Sequence, residues 1–297
     1  MNTVEPRNAT CKICGGAANP KFAALVMGRY NGSFSHCKAC GFLQADNPDW
    51  LEAAYREPIN LTDTGLVRRN LLLSRITAVI IFYLFDKKGA FVDYGGGYGL
   101  FTRLMRDIGL DFYWLDPYAR NLLSRGFEYG PEKGRLELLT AFEVFEHLAN
   151  PLEEIEKMVG LCSNILFSTA LLPRPIPHPE QWWYYGLEHG QHVSFYSPQT
   201  LSWIASRFGL VCISAGMVHL LTKRRELCNP LSIIERGLRR IDQRFFLRTS
   251  LFRHLLPRDF SSLVNGADVL FHREVTRGLV SKTDSDSEML GAVRHEL

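Results

Sequence analysis

Long apolar runs are missing from this 297-residue sequence. Its most hydrophobic stretch, Leu71 to Phe85, is shorter than the roughly 20 residues a membrane span needs. Arg75 interrupts it, so a buried helix is expected there. The opening MNTVEPRNAT has no apolar core of a secretory signal, and with neither span nor signal the expected compartment is the cytoplasm. Charge of one sign is scarce too: a net +3 gives no ground for nucleic acid as a partner. Internal repeats and low-complexity tracts are absent. The composition, 46% hydrophobic and 22% charged, is that of a globular chain long enough for one α/β core with smaller attachments.

Cysteine is neither absent nor evenly spread. Of seven, four form the pairs CKIC (Cys11, Cys14) and CKAC (Cys37, Cys40), each followed by a glycine, Gly15 or Gly41. In a chain with no secretory signal, such pairs suggest metal rather than disulfides. Four thiolates can close a tetrahedral zinc site with no open position, a structural rather than catalytic arrangement. Redox pairs or an iron–sulfur cluster are the alternatives. Cys162, Cys212 and Cys228 are expected to be core thiols.

Four segments follow from the pattern: a zinc-binding module over 1–45 with little core-forming sequence, a helical connector or lid over 46–88, a core over 89–222, and a basic helical extension with a mobile tail over 223–297. Asp63 is a candidate cap for the long connector helix. From Gly89 on, short apolar runs alternate with amphipathic ones. AFVDY, FYWLD, LELLTAFEV and NILFSTALL read as strands, and LVCISAGMVHLLT as two more. LFTRLMRDIG, PLEEIEKMVGLC and SPQTLSWIASRFG read as helices, the last capped by Ser197. The expected fold class is α/β, with a doubly wound, mostly parallel sheet covered on both faces. Its ligand would lie beyond the carboxyl ends of the strands.

The loop after the first of these strands, VDYGGGYG, fails two common patterns. A dinucleotide loop G-x-G-x-x-G started at Gly95 would need glycine where Leu100 stands, and the Gly-Lys-Ser/Thr of a phosphate loop is absent. What fits is Asp93-x-Gly95-x-Gly97-x-Gly99. The carboxylate of Asp93 would repel a pyrophosphate and suits a cationic ligand or a hydrogen bond that shapes the turn. The glycines let a ligand approach the backbone. Asp116, at the tip of FYWLD, can accept from both hydroxyls of a ribose. FEVFEHLANP, at the end of the third clear strand, can line the same crevice with Glu143.

These three places resemble class I S-adenosylmethionine-dependent methyltransferases over residues 89 to about 222. VDYGGGYG matches that family's first motif, WLDP its ribose-binding acidic motif, and FEVFEHLANP the element often seen as EVxEHxxxP. The resemblance implies a Rossmann-like, seven-stranded sheet. It implies S-adenosylmethionine bound by Asp93, Tyr94, Gly95, Gly97, Gly99, Asp116 and Pro117, with Ala141, Phe142 and Glu143 at its border. The stretch from Arg125 to Leu136 is short where the family has its third strand, so no adenine-contacting carboxylate is named.

The loop Pro173–Ser197 mixes Trp182, Trp183, Tyr184 and Tyr185 with Glu188, His189 and His192, the mixture of aromatic walls and few polar groups that a sugar or ring acceptor wants. EHGQHVSFYSPQTL resembles a segment of sugar- and polysaccharide-pathway methyltransferases, some of which carry an N-terminal four-cysteine zinc domain. Their Tyr-His-Glu-His run supplies the proposed base, and its last histidine matches His192. Here Gln191 replaces the glutamate and His189 the tyrosine. His192, and after it His189, are therefore the candidate bases, and a sugar, glycan or other small hydroxylated metabolite is the candidate acceptor. Two other readings remain: an RNA methyltransferase gripping RNA with its zinc module, and a non-catalytic zinc-ribbon protein on a degenerate core. The basic LRRIDQRFFLRTSLFRHLL is read first as a helix packed on the core or on a second subunit, with docking at anionic lipid or contact with nucleic acid as the alternatives; oligomeric state is left open.

Overall fold

The structure is a computed structural model that describes residues 9–56 and 63–224. These belong to one compact unit, Met1–Ile59 with Val67–Gln243, apart from Asp63–Leu66, which group with Arg244–Leu297. The basic stretch beyond Arg224, with Cys228 and the expected tail, lies outside the described residues.

The N-terminal strands are β1 (Ala9–Thr10), β2 (Ala17–Val26), β3 (Tyr30–Cys37) and β4 (Leu43–Ala45). Two helices follow, α1 (Leu51–Ala54) and α2 (Leu66–Leu84), then β5 (Ala90–Tyr94), α3 (Leu100–Asp107), β6 (Asp111–Leu115), β7 (Leu136–Ala141), α4 (Pro151–Leu161), β8 (Ile165–Ser168), β9 (Ser194–Phe195), α5 (Pro198–Arg207), β10 (Val211–Ala215) and β11 (Val218–Thr222). The expected strands and helices of the core all appear, with ends shifted by a few residues. The apolar stretch from Leu71 is helix α2, whose Leu73, Ile76, Ile80 and Ile81 are buried. No helix among the described residues is long and apolar enough to cross a membrane.

The main sheet has the order β10-β11-β8-β7-β5-β6. Strands β6, β5, β7 and β8 are parallel, and β11 and β10 close the sheet antiparallel. Its period-2 pattern sorts side chains to two faces. Phe91, Phe112, Leu138, Leu166 and Leu220 pack under α2 and α3 with Ile80, Phe101 and Met105. Their neighbours Val92, Leu139, Ile165, Phe167 and Leu221 pack under α4 and α5 with Ile155, Met158, Leu201 and Ile204. This is the doubly wound arrangement expected, with six strands among the described residues where seven are expected. At the place beside β6 where a seventh strand belongs, Trp114 makes one parallel bridge to Glu128, through Trp114 N–H to Phe127 O and Tyr129 N–H to Trp114 O, both 2.8 Å. Gly126, Gly130 and Pro131 flank this segment. It is too short, and too broken by turn residues, to lengthen the ladder.

The N-terminal segment departs from the expectation of little core-forming sequence. It builds a five-stranded sheet, β1-β2-β3-β4-β9, in which β9 comes from the loop after β8 and pairs Leu43 with Phe195. Val26, Phe34, Leu43 and Trp50 are buried in one cluster with Tyr184, Tyr185 and Phe195. The Trp50 indole N–H donates to Gly190 O at 2.8 Å, and Gln191 Nε2 to Ala54 O at 2.9 Å. The loop carrying the candidate histidines is therefore pinned between two sheets.

Candidate functional site

At the carboxyl end of β5 the glycine loop turns back on the strand. Gly95 N–H donates to Leu115 O at 2.8 Å, and Gly97 N–H to Asp116 Oδ2 at 2.9 Å. Asp116 Oδ1 accepts from the N–H groups of Tyr118 and Ala119 at 2.8 and 2.9 Å. The structure thus joins Gly97 to Asp116. A Cβ at Gly95 would stand 2.6 Å from Val144 Cγ2, so the glycine is needed for the β7 loop to close on this turn. At Gly97, φ is +53° and no heavy atom lies within 4 Å of a Cβ position: the backbone there is open to a ligand. Open main chain beside a carboxylate whose oxygens keep accepting capacity is a donor and acceptor set that fits a ribose diol.

The other members of the expected set make the following contacts. Asp93 is buried and its carboxylate accepts from Thr102 Oγ1 at 3.0 Å and Thr140 Oγ1 at 3.1 Å, so it ties α3 and β7 to β5, the turn-shaping hydrogen bond among the two expectations. Tyr94 donates its hydroxyl to Glu154 at 2.8 Å. Gly99, at φ +86°, faces Asn121 and Ser124. Ala141 is buried, Phe142 packs edge-on against Phe101, and Pro117 is exposed.

Burial pushes the Asp93 carboxyl up to about 7, against the pull of the two threonine hydroxyls. Below about pH 4 it is protonated in both folded and unfolded chains and makes no difference. Between there and about 7 the folded chain holds a proton that the unfolded one has lost, so stability falls as pH rises. Asn at 93 carries no such penalty. In urea denaturation the stability of wild type relative to Asp93→Asn is expected to drop by on the order of 2 kcal/mol from pH 5 to pH 8; a flat difference contradicts this account of Asp93.

Past β7 the chain makes a tight turn. Glu143 has φ +54°, a left-handed conformation that non-glycine residues reach at a cost and that clusters at functional sites. Its Oε1 accepts from Ser168 Oγ at 2.6 Å, the same hydroxyl accepts from Glu143 N–H at 2.8 Å, and Oε2 faces Arg69 Nε at 3.4 Å. One turn on stand Glu146 and His147. Glu146 is fully buried, and neither carboxylate oxygen has a hydrogen-bond partner. Burial first, then the charge of Glu143, pushes its carboxyl up to about 8.

The loop pinned by Trp50 brings His192 to the same place. Its ring lies 4.8 Å from that of His147 and 4.9 Å from that of His189, both edge-on. His192 Nδ1 meets the Tyr184 carbonyl at 2.7 Å. A carbonyl can only accept, so Nδ1 carries the proton and Nε2 keeps its lone pair. Burial, then the charges of His147 and His189, hold this imidazole well below its ordinary value, so it is neutral. His189 is set the other way: its Nδ1 accepts from Gln191 N–H at 3.1 Å, which leaves the proton on Nε2. Of the two candidate bases, His192 is the one with a lone pair to offer.

Tyr55, which carries no sequence signal, meets His147 Nδ1 through its hydroxyl at 2.9 Å. Its phenol is raised by burial, then by the charges of Glu146, Tyr118 and Asp116. Tyr184 and Tyr185 are buried and Trp182 packs against both. The expected aromatic wall is mostly core, with Trp183 exposed.

The four paired cysteines also converge. Cys11 Sγ lies 3.5 Å from Cys40 Sγ, and Cys14 Sγ 3.5 Å from Cys37 Sγ; all four sulfurs fall within 4.8 Å of one another. A disulfide needs about 2.05 Å, whereas sulfurs around tetrahedral zinc at about 2.3 Å stand about 3.8 Å apart. The donor set fits zinc. Both knuckles turn alike, with Gly15 N–H to Cys11 O at 2.9 Å and Gly41 N–H to Cys37 O at 2.8 Å, each glycine at positive φ. The second knuckle docks on the start of α5, where Thr200 Oγ1 donates to Cys40 O at 2.9 Å.

Residues 68–215 match the methyltransferase domain family. No curated protein sequence matches the chain. Among solved structures, human N-acetylserotonin methyltransferase in complex with S-adenosylmethionine is similar at 17% identity and TM-score 0.37, over 59% of this chain and 65% of that one. The plantazolicin methyltransferase BpumL, in complex with a monoazolic desmethylPZN analog and S-adenosylhomocysteine, is similar at 11% identity and TM-score 0.42, over 59% of this chain and 93% of that one. CalO1, a methyltransferase of calicheamicin biosynthesis, is similar at 16% identity and TM-score 0.37, and the chain covers 53% of it. The chain thus spans less than two thirds of the human enzyme and of CalO1.

Proposed function

We propose that residues 68–215, which match the methyltransferase domain family, are a class I S-adenosylmethionine-dependent methyltransferase domain, and that the chain methylates a hydroxyl group of a sugar, a glycan or another small hydroxylated metabolite. The observation that carries this reading is the convergence at one end of the main sheet: an open glycine backbone closed on Asp116, and next to it a polar cluster of Glu146, His147 and His192.

In this reading Gly97 and the Asp116 carboxylate hold the ribose of S-adenosylmethionine, with Gly95 and the main chain of 141–143 bordering it. When bound, that cofactor supplies an electrophilic methyl group. The remaining work is alignment of the acceptor and removal of its proton. Glu143, fixed by Ser168 and Arg69, shapes the passage between the two sites. Tyr55 and the Glu146–His147–His192 cluster receive the acceptor's hydroxyl, and the pinned loop keeps water from that end of the crevice. Zinc on Cys11, Cys14, Cys37 and Cys40 stabilises the N-terminal sheet that holds the loop, and takes no part in the chemistry.

The test is release of S-adenosylhomocysteine by zinc-loaded full-length protein offered nucleotide sugars, glycosides, phenols and ribosomal RNA. Turnover on a sugar-type or other small hydroxylated acceptor, lost in His192→Ala, is the expected result. Turnover on RNA alone, or on nothing although the cofactor binds, overturns the reading.

A further inference from the structure

Glu146 presents a problem that methyl transfer does not explain. A buried carboxylate with both oxygens lacking a hydrogen-bond partner costs several kcal/mol unless something compensates it. Two imidazoles stand beside it: one ligand atom from each of Glu146, His147 and His192 lies within 4.8 Å of the others. The Tyr184 hydroxyl and the Arg69 charge favour the charged form only in part: burial and the charge of Glu143 still push the carboxyl up, and Arg69 also faces Glu143 at 3.4 Å.

We propose that Glu146, His147 and His192 form a binding site for a divalent transition-metal cation, separate from the four-cysteine site. A cation at the centre of the three would satisfy the carboxylate and the imidazole lone pair together. Small side-chain shifts would bring the three atoms to the usual ligand distances of about 2.0–2.2 Å. Two nitrogens and one carboxylate oxygen suit manganese, iron, cobalt, nickel or zinc, and leave coordination positions open. The surroundings are those that orient metal-bound histidines: the Tyr184 carbonyl fixes His192 from its Nδ1 side at 2.7 Å, and the Tyr55 hydroxyl meets His147 Nδ1 at 2.9 Å. Such outer partners set the tautomer and raise ligand basicity.

The inference rests on the proposed function for what the cation does, and not for whether it binds. Beside the methyl donor, an open position would take the acceptor's hydroxyl and lower its pKa. The proton then leaves to water, the oxygen forms its bond to the methyl carbon, and the carbon–sulfur bond breaks with its electron pair returning to sulfur. The sulfonium becomes a neutral thioether and charge balances.

Manganese(II) is the probe, because thiolates of the four-cysteine site disfavour it and its free aqua ion has a strong paramagnetic resonance signal. Titrated into zinc-loaded full-length protein, wild type is expected to quench the signal of one manganese per chain. Glu146→Gln and His192→Ala should weaken binding by at least about 10-fold, and Tyr55→Phe, which removes only an outer partner, by about 10-fold. Zinc content and S-adenosylmethionine binding in the same samples, both expected unchanged, report that the variants fold. An unquenched signal at millimolar manganese, or equal binding by wild type and Glu146→Gln, overturns the metal site. If S-adenosylmethionine still binds in that case, the methyltransferase reading stands without it.

Discussion

Cys40→Ser is expected to empty the four-cysteine site and to loosen the whole N-terminal sheet. Four thiolates within 4.8 Å of one another repel unless protonated or metal-bound, and the loss of one leaves an incomplete tetrahedron. Structural zinc binding contributes on the order of 10 kcal/mol in small modules. Here the sheet has apolar support from Phe34, Leu43 and Trp50, so the expected loss is a few kcal/mol rather than complete unfolding. The damage does not stay local. Cys40 O and Ala39 O accept from Thr200 and Gln199 at the start of α5, while β9 pairs with β4 and Trp50 holds Gly190. Zinc content is expected to fall from one per chain to none, and amide exchange to speed up in residues 9–56 and 182–197 together, leaving β5 to β8 protected. A variant that keeps its zinc, or a sheet that stays protected without it, refutes the structural role.

The second large effect is expected from Asp116→Ala. The carboxylate accepts from Gly97, Tyr118 and Ala119 N–H groups, which holds the glycine loop in shape, and in the proposed function it also accepts from a ribose diol. Removing it takes away charge-assisted hydrogen bonds of about 1.5–3 kcal/mol each. The expected result is a loss of S-adenosylmethionine affinity of about 100-fold or more. Asp116 is partly exposed at a loop, so the melting temperature should move by only a few degrees. Asp116→Asn keeps the acceptor oxygen and should lose less. A variant that binds the cofactor as wild type does would remove Asp116 from the site.

The main sheet and the four-cysteine cluster are readable because their signals are local. Period-2 runs such as Phe91-Val92 and Leu138-Leu139 announce strands buried on both faces, and Cys-x-x-Cys fixes two ligands within one turn. The N-terminal sheet was not readable for a physical reason. Residues 17–26 are mostly polar or small, and their core is completed by Tyr184, Tyr185 and Phe195, far along the chain. The same distance hid Tyr55. Asp93 stays open between two roles in the sequence, because a carboxylate before a glycine loop looks the same whether it faces a ligand or, as here, two threonines. Glu146 and His147 were visible in the EVFEH run, but only the fold shows that the carboxylate is stranded beside His192. The seventh strand was expected from resemblance, and the short 125–136 stretch reduces it to a single bridge at Trp114.

The central claim is that the crevice above Gly97 and Asp116 binds S-adenosylmethionine. Isothermal calorimetry of the zinc-loaded full-length chain tests it directly, with NAD as the competing ligand for a glycine-rich loop. The account predicts one S-adenosylmethionine per chain with micromolar-range affinity, S-adenosylhomocysteine binding to the same site, and no heat from NAD. NAD binding with S-adenosylmethionine silent, or no binding of either by folded protein, would contradict it.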